Sequence, residues 1–163
     1  MVHNTNTEEK DMQKFLTNNS FFLSHKSKET ISNHDQKRIQ LGNDYIPDFI
    51  VINIENSILV EIESPNKKIF KQKDEFTSEF NQSIQQLRKW KVWLKDPVNL
   101  SFAQKDVAEL DANFKLKLII GRNNSLTISQ KDLLKYYDSE IEIITYDDLI
   151  SENEQIIQNY SKL

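Results

Sequence analysis

The chain has 163 residues, a formal net charge of −4 and no cysteine; the length suits one folded domain, and the missing thiols rule out disulfides, thiolate zinc sites and cysteine nucleophiles. Its two glycines, Gly42 and Gly121, are too few for a phosphate-cradling nucleotide loop or a glycine-flanked serine elbow. The three histidines fall within the first 34 residues without metal-ligand spacing, and no apolar run is long enough to span a bilayer, so a soluble, cytoplasmic protein without a membrane partner is expected.

Residues 1–7 are polar and read as a flexible arm on a single domain covering 1–163. Glu8 to Leu16 carries Met12, Phe15 and Leu16 at helical spacing, with Thr7 as its N-cap. Asn18 to Gly42 is polar and shows no readable pattern. Tyr45 to Ile54, apolar from just after Pro47, predicts a strand. Glu55-Asn56 predicts a tight turn and Ser57 to Glu63 a second strand, making a hairpin. Thr77 to Leu94 is the clearest helix, with Phe76, Phe80, Ser83, Leu87, Trp90 and Leu94 on one narrow stripe. Asp96-Pro97 ends it, and a loop or short irregular helix runs on to Phe114. Lys115 to Ile120 predicts a buried strand stopped by Gly121. A helix capped by Ser129 then runs to Tyr137, Ile141 to Thr145 is a strand, and Asp147 to Tyr160 a last helix. The order predicts an α/β fold, a mixed β-sheet flanked by helices.

The second strand of the hairpin carries the chemistry. Ile58, Val60 and Ile62 point to one side and form an apolar face; Leu59, Glu61 and Glu63 point to the other. Two same-side glutamates at the end of a core-type strand repel one another and lose hydration, so they call for cations. A two-residue turn at Glu55-Asn56 sets Asp48 opposite Glu63 and Ile50 opposite Glu61, and brings Asp48, Glu61 and Glu63 together at the open end. A turn of another length by one residue would put Asp48 on the wrong side. Three carboxylates at a solvent-facing strand end suit Mg²⁺ or Mn²⁺, which take hard oxygen ligands and leave places for water and phosphate. The plain alternative is an exposed hairpin end with scattered acids.

Charge is unevenly spread. From Pro65 to Lys95 there are eight basic residues against three acids, and from Asp138 to Asn159 seven acids with no lysine or arginine. Solvated helix and loop faces would explain either block alone; together they predict an electrostatically two-sided molecule.

Pro47-Asp48, followed by Glu61-Ile62-Glu63, resembles the motif of the PD-(D/E)xK nuclease superfamily. The longer series is more specific. Val60-Glu61-Ile62-Glu63-Ser64-Pro65, Ile69-Phe70, Glu79-Phe80, Gln86-Leu87-Arg88-Lys89-Trp90, Ile119-Ile120-Gly121-Arg122 and Thr145-Tyr146-Asp147-Asp148-Leu149 together resemble the Shedu-type (SduA) domain. Glu9 to Leu16 is similar to that domain's opening helix. The resemblance implies a restriction-endonuclease-like fold and a metal-dependent DNA endonuclease of bacterial anti-phage defence. It further implies a metal held by Asp48, Glu61 and the backbone carbonyl of Ile62, with Glu9 as an assisting ligand.

Glu63 departs from the superfamily pattern, which usually has lysine there to stabilise the transition state; a glutamate could instead bind a second cation or accept a proton from water. Gln86 falls where related nucleases carry a glutamine beside the active site, and Gln82 and Lys89 continue that helix edge. Lys67 and Lys68 follow the metal strand directly and are candidates for sequence-independent phosphate contacts; the plain alternative is a solvated loop. Trp90 belongs to the core stripe, while Arg122 and Thr145 to Leu149 are assigned to fold and assembly. Two rival readings stand beside the nuclease: a catalytically silent nucleic-acid-binding module, and a protein-interaction subunit of a defence complex using the acidic C-terminal face. Association with itself or with a defence-system partner is a further expectation.

Overall fold

The computed structural model describes residues 8–34, 40–42 and 45–162; the arm expected at residues 1–7, with Thr7, lies outside them. Helix α1 (Glu9–Asn18) is capped by Glu8 and Asp11, which bond reciprocally to each other's backbone. Strands β1 (Ser27–Ser32), β2 (Phe49–Asn53) and β3 (Ser57–Ile62) follow. Helix α2 (Ser78–Lys95) starts on Thr77, whose hydroxyl accepts from the Phe80 N–H. Helix α3 (Pro97–Ala103) begins with proline just inside its Asp96 cap, where the missing N–H does no harm. Strand β4 (Phe114–Ile119), helix α4 (Ile128–Lys135), strand β5 (Ile141–Ile144) and helix α5 (Tyr146–Tyr160) complete the chain. The cap of α4 is Thr127, not Ser129: Thr127 and Gln130 form the reciprocal pair, which leaves Ser129 inside the first turn of the helix.

The sheet has five strands in the order β1-β2-β3-β4-β5. The pairs β1/β2 and β2/β3 are antiparallel, while β3/β4 and β4/β5 are parallel. The α/β expectation of a mixed sheet flanked by helices therefore holds, and such a sheet is compatible with a nuclease-like fold. Strand β1 lies in the stretch that gave no readable pattern. It is an edge strand with only Ser32 buried, so it carries no apolar alternation to read.

Two cores cover the two faces. Ile50, Ile52, Leu59, Leu116 and Leu118 pack with Phe80, Leu87 and Trp90 of α2, Ala103 of α3 and Leu134 of α4. Phe49, Val51, Val60, Ile62 and Ile119 pack with Met12 and Leu16 of α1 and Tyr146 and Leu149 of α5. Among the described residues no helix is long and apolar enough to cross a membrane.

The hairpin turns one residue earlier than expected. The Asn53 N–H bonds to the Asn56 carbonyl at 2.9 Å, leaving Ile54-Glu55 as the turn, with Ile54 75% exposed. Pairing is therefore Phe49 with Val60 and Ile50 with Leu59, not Ile50 with Glu61. Continued one step, it sets Asp48 beside Glu61 rather than Glu63. Moving a two-residue turn by one position shifts the pairing by two, so every side chain keeps its face.

Candidate functional site

The site forms where β3 runs out of its antiparallel partner. In a strand, the N–H and C=O of one residue leave by the same edge, and alternate residues face alternate neighbours. The Glu63 N–H bonds to the Ile119 carbonyl of β4, so Ile62 faces β2. Its ladder partner there, by the register of the hairpin, is Pro47. Proline has no N–H. The Ile62 carbonyl thus gets no ladder donor from β2, and the Ile62 N–H is taken by the Asp48 carboxylate at 2.9 Å. The Pro47 carbonyl is engaged from the other side by the Asn33 side chain.

Around that strand end the side chains gather. Asp48 also accepts from the Gln13 amide of α1 at 2.7 Å. Glu61, buried, accepts from the Gln86 amide of α2 at 2.9 Å. Glu63 accepts from the Ser83 hydroxyl of α2 at 2.5 Å and from the Lys67 ammonium, and its backbone carbonyl accepts from the buried Tyr146 phenol at 2.8 Å. Glu9, on the first turn of α1, lies near enough to Glu63 for the two charges to act on each other.

The electrostatics follow from this crowding. Burial pushes the Glu61 carboxyl well above its usual range, and the charges of Asp48 and Glu63 push the same way. Burial also raises Asp48, to about 6, although the Ile62 N–H bond works against the rise. Glu9 is raised by burial and by Glu63, with Lys67 opposing. For Lys67, burial disfavours the charge, but Glu63, Glu9 and Glu79 outweigh it and hold the ammonium above its ordinary value. Among the described residues, Asp48 and Glu61 accept from amides and a backbone N–H, and no ammonium or guanidinium is bonded to either. Such a pair stays doubly charged only with a cation beside it.

The donor set fits a hard divalent ion. Magnesium sites use one or two carboxylates and fill the rest of the shell with neutral oxygens; Asp48, Glu61 and the Ile62 carbonyl are such a set. Among the described residues no three acids or histidines are gathered so as to hold an ion by themselves. The third acid, Glu63, is turned to Lys67 and Ser83.

Of the other anticipated residues, Gln82 and Lys89 line a groove of about 480 Å³ together with Gln85, Gln86 and Tyr45. Lys67 and Lys68 line a second one of about 390 Å³, with Lys71 and Arg122 as further cations and no carboxylate on its wall. A larger hollow of about 1120 Å³ lies along β5 and the start of β4, and none of the clustered acids borders it.

Sequence reasoning missed Gln13, Ser83 and Tyr146 as members of the site. Gln13 stands one helical turn after Glu9, which was a usable signal. Ser83 is the one polar residue on an apolar stripe, a second signal. Nothing local marked Tyr146, which arrives from α5.

No curated protein matches the chain. The model of the family described as Shedu protein SduA, C-terminal, matches residues 6–150, a span that holds every acid of the cluster and its partners. The chain therefore belongs to the Shedu SduA C-terminal family, a membership that implies a role in anti-phage defence.

Proposed function

We propose that the chain is a metal-dependent DNA endonuclease that hydrolyses phosphodiesters as its part in defence. The observation that carries this reading is the pair of enclosed carboxylates, Asp48 and Glu61, with no cationic side chain bonded to them among the described residues, beside a carbonyl that proline leaves without a ladder donor. Asp48, Glu61 and the Ile62 carbonyl hold Mg²⁺ or Mn²⁺, with Glu9 close behind. Bound there, such an ion lowers the pKa of a coordinated water and neutralises charge developing on the phosphoryl oxygens.

The chain's own groups do the rest. Gln13 and the Ile62 N–H fix one Asp48 oxygen each, so the carboxylate cannot rotate away. Gln86 spends its N–H on Glu61, which leaves its amide oxygen to orient the attacking water. Glu63, pinned by Ser83 and Lys67, lies beside that water. Substrate is drawn in by the groove of Lys67, Lys68, Lys71 and Arg122, whose wall, among the described residues, has cationic and neutral groups. Gln82 and Lys89 extend the contact along α2.

Supercoiled plasmid incubated with Mg²⁺ or Mn²⁺ tests the reading. Wild type nicks or linearises it, and Asp48→Asn and Glu61→Gln each slow cutting by at least ~100-fold. Variants that cut as fast as wild type sink the assignment. A salt-sensitive gel shift without cutting favours a silent binding module instead, and neither effect, together with a co-purifying protein, favours an interaction subunit.

A further inference from the structure

The cluster has two lobes with different fillings. In the first, Asp48 and Glu61 face amides and a backbone N–H. In the second, the charges of Glu63 and Glu9 act on each other, and the Lys67 ammonium is paired with Glu63. Both Glu63 oxygens are taken, one by Lys67 and the other by Ser83.

We propose that the Lys67 ammonium is a resident cation of this centre, standing in the Glu63/Glu9 lobe where a second divalent ion would otherwise sit, so that the chain binds one divalent ion and not two. This rests on the metal reading above and adds the count and the cause.

Lys67 is held there by its backbone. Its N–H bonds to the Ser64 carbonyl at 3.1 Å, closing a turn directly after Glu63. Its carbonyl is packed so tightly on Gly121 that a Cβ on that glycine would come within 2.7 Å of it. The Lys68 carbonyl next to it accepts from the Thr77 hydroxyl at 2.8 Å, which ties the loop to the start of α2. A flexible surface lysine would swing away from an arriving ion at little cost; one whose main chain is clamped on both sides returns to the same carboxylates. A second divalent ion would need Glu63 to drop both partners and would meet a like charge at contact distance. An ammonium is a compact point charge with three donors, able to face two carboxylates and a phosphate oxygen together. It thereby supplies the positive charge that a second ion would bring.

The test counts ions. Mn²⁺ is titrated into the full chain without DNA by calorimetry, and free Mn²⁺ is counted independently by electron paramagnetic resonance. Wild type should take one ion per chain. Lys67→Met, neutral and of similar length, should take two, and Lys67→Arg, which keeps the charge, should take one; Lys67→Gln serves as a second neutral variant. Two ions in wild type overturn the proposal without any variant being needed, and so does a count of one in both neutral variants. No ion in wild type, or one that survives Asp48→Asn with Glu61→Gln, removes the metal reading and this inference together. A wild type that binds one ion and cuts plasmid, with the neutral variants still at one, removes this inference alone.

Discussion

Asp48 shows how far one environment can move one residue. Its carboxyl rises from 3.8 to about 6 because burial penalises its charge in the folded chain. Between those values the unfolded chain has lost the proton that the folded chain still holds, so the metal-free protein loses stability as pH climbs from about 4 to 6. The shift corresponds to ~3 kcal/mol, or roughly 5–10 °C of melting temperature at this length. Scanning calorimetry of metal-free protein at pH 4 and pH 7 checks it, and Asp48→Asn should remove part of the difference, the raised Glu61 carboxyl adding to it in the same sense. A divalent ion needs the carboxylate bare, so Mn²⁺ affinity should rise across the same interval, in the opposite sense to metal-free stability. Equal melting points at the two pH values would mean that Asp48 is not held as described. Residues of this kind were partly legible: Asp48, Glu61 and Gln86 follow from pattern and resemblance. The turn of Glu63 toward Lys67 does not, because it depends on a backbone clamp made by Gly121, 54 positions further on.

Among the elements, the loop between β3 and α2 matters most, and Gly121 is its anchor. This glycine sits at φ +64° with the Lys67 carbonyl against it, so alanine there meets both a strained backbone and a main-chain oxygen. Gly121→Ala should cost about 2–4 kcal/mol, beyond the usual left-handed penalty, read as a fall in urea midpoint. It should also displace Lys67 from Glu63, seen as a changed Mn²⁺ count in whatever fraction folds. An unchanged midpoint would show that the loop has room the structure denies it. The long amphipathic helix α2 was readable because its stripe is strong: Phe80, Ser83, Leu87, Trp90 and Leu94 are all buried. The hairpin was readable in kind but not in register. Ile54 looks like strand and is turn, since the Asn53–Asn56 bond, not apolarity, closes the corner. Strand β1 was illegible for a different reason: its identity comes from pairing with β2 across the sheet edge, a long-range fact that a polar stretch does not announce.

Across the whole molecule, the two charged blocks of the sequence are not simply opposed. Arg88 meets Asp138 at 3.3 Å and Lys91 meets Glu140, so the acidic segment before β5 covers part of the basic helix. The cations lining the two grooves beside the site are Lys67, Lys68, Lys71, Arg122 and Lys89. Salt titration of duplex binding, with Ca²⁺ in place of the active ion, should separate the two sets. Lys68→Ala with Lys89→Ala should flatten the slope of log affinity against log salt by about 2, near 0.9 for each lost phosphate contact. Arg88→Ala should leave it almost unaltered; a slope insensitive to Lys68 and Lys89 would move the substrate elsewhere. The site itself lies on the seam between the antiparallel half of the sheet and the parallel half, and Pro47 decides how far the first half extends. Any other amino acid there would bring one hydrogen atom to the strand, and the hairpin could zip a rung further and claim the oxygen of Ile62. What keeps this seam unfastened is an atom that the imino acid leaves out.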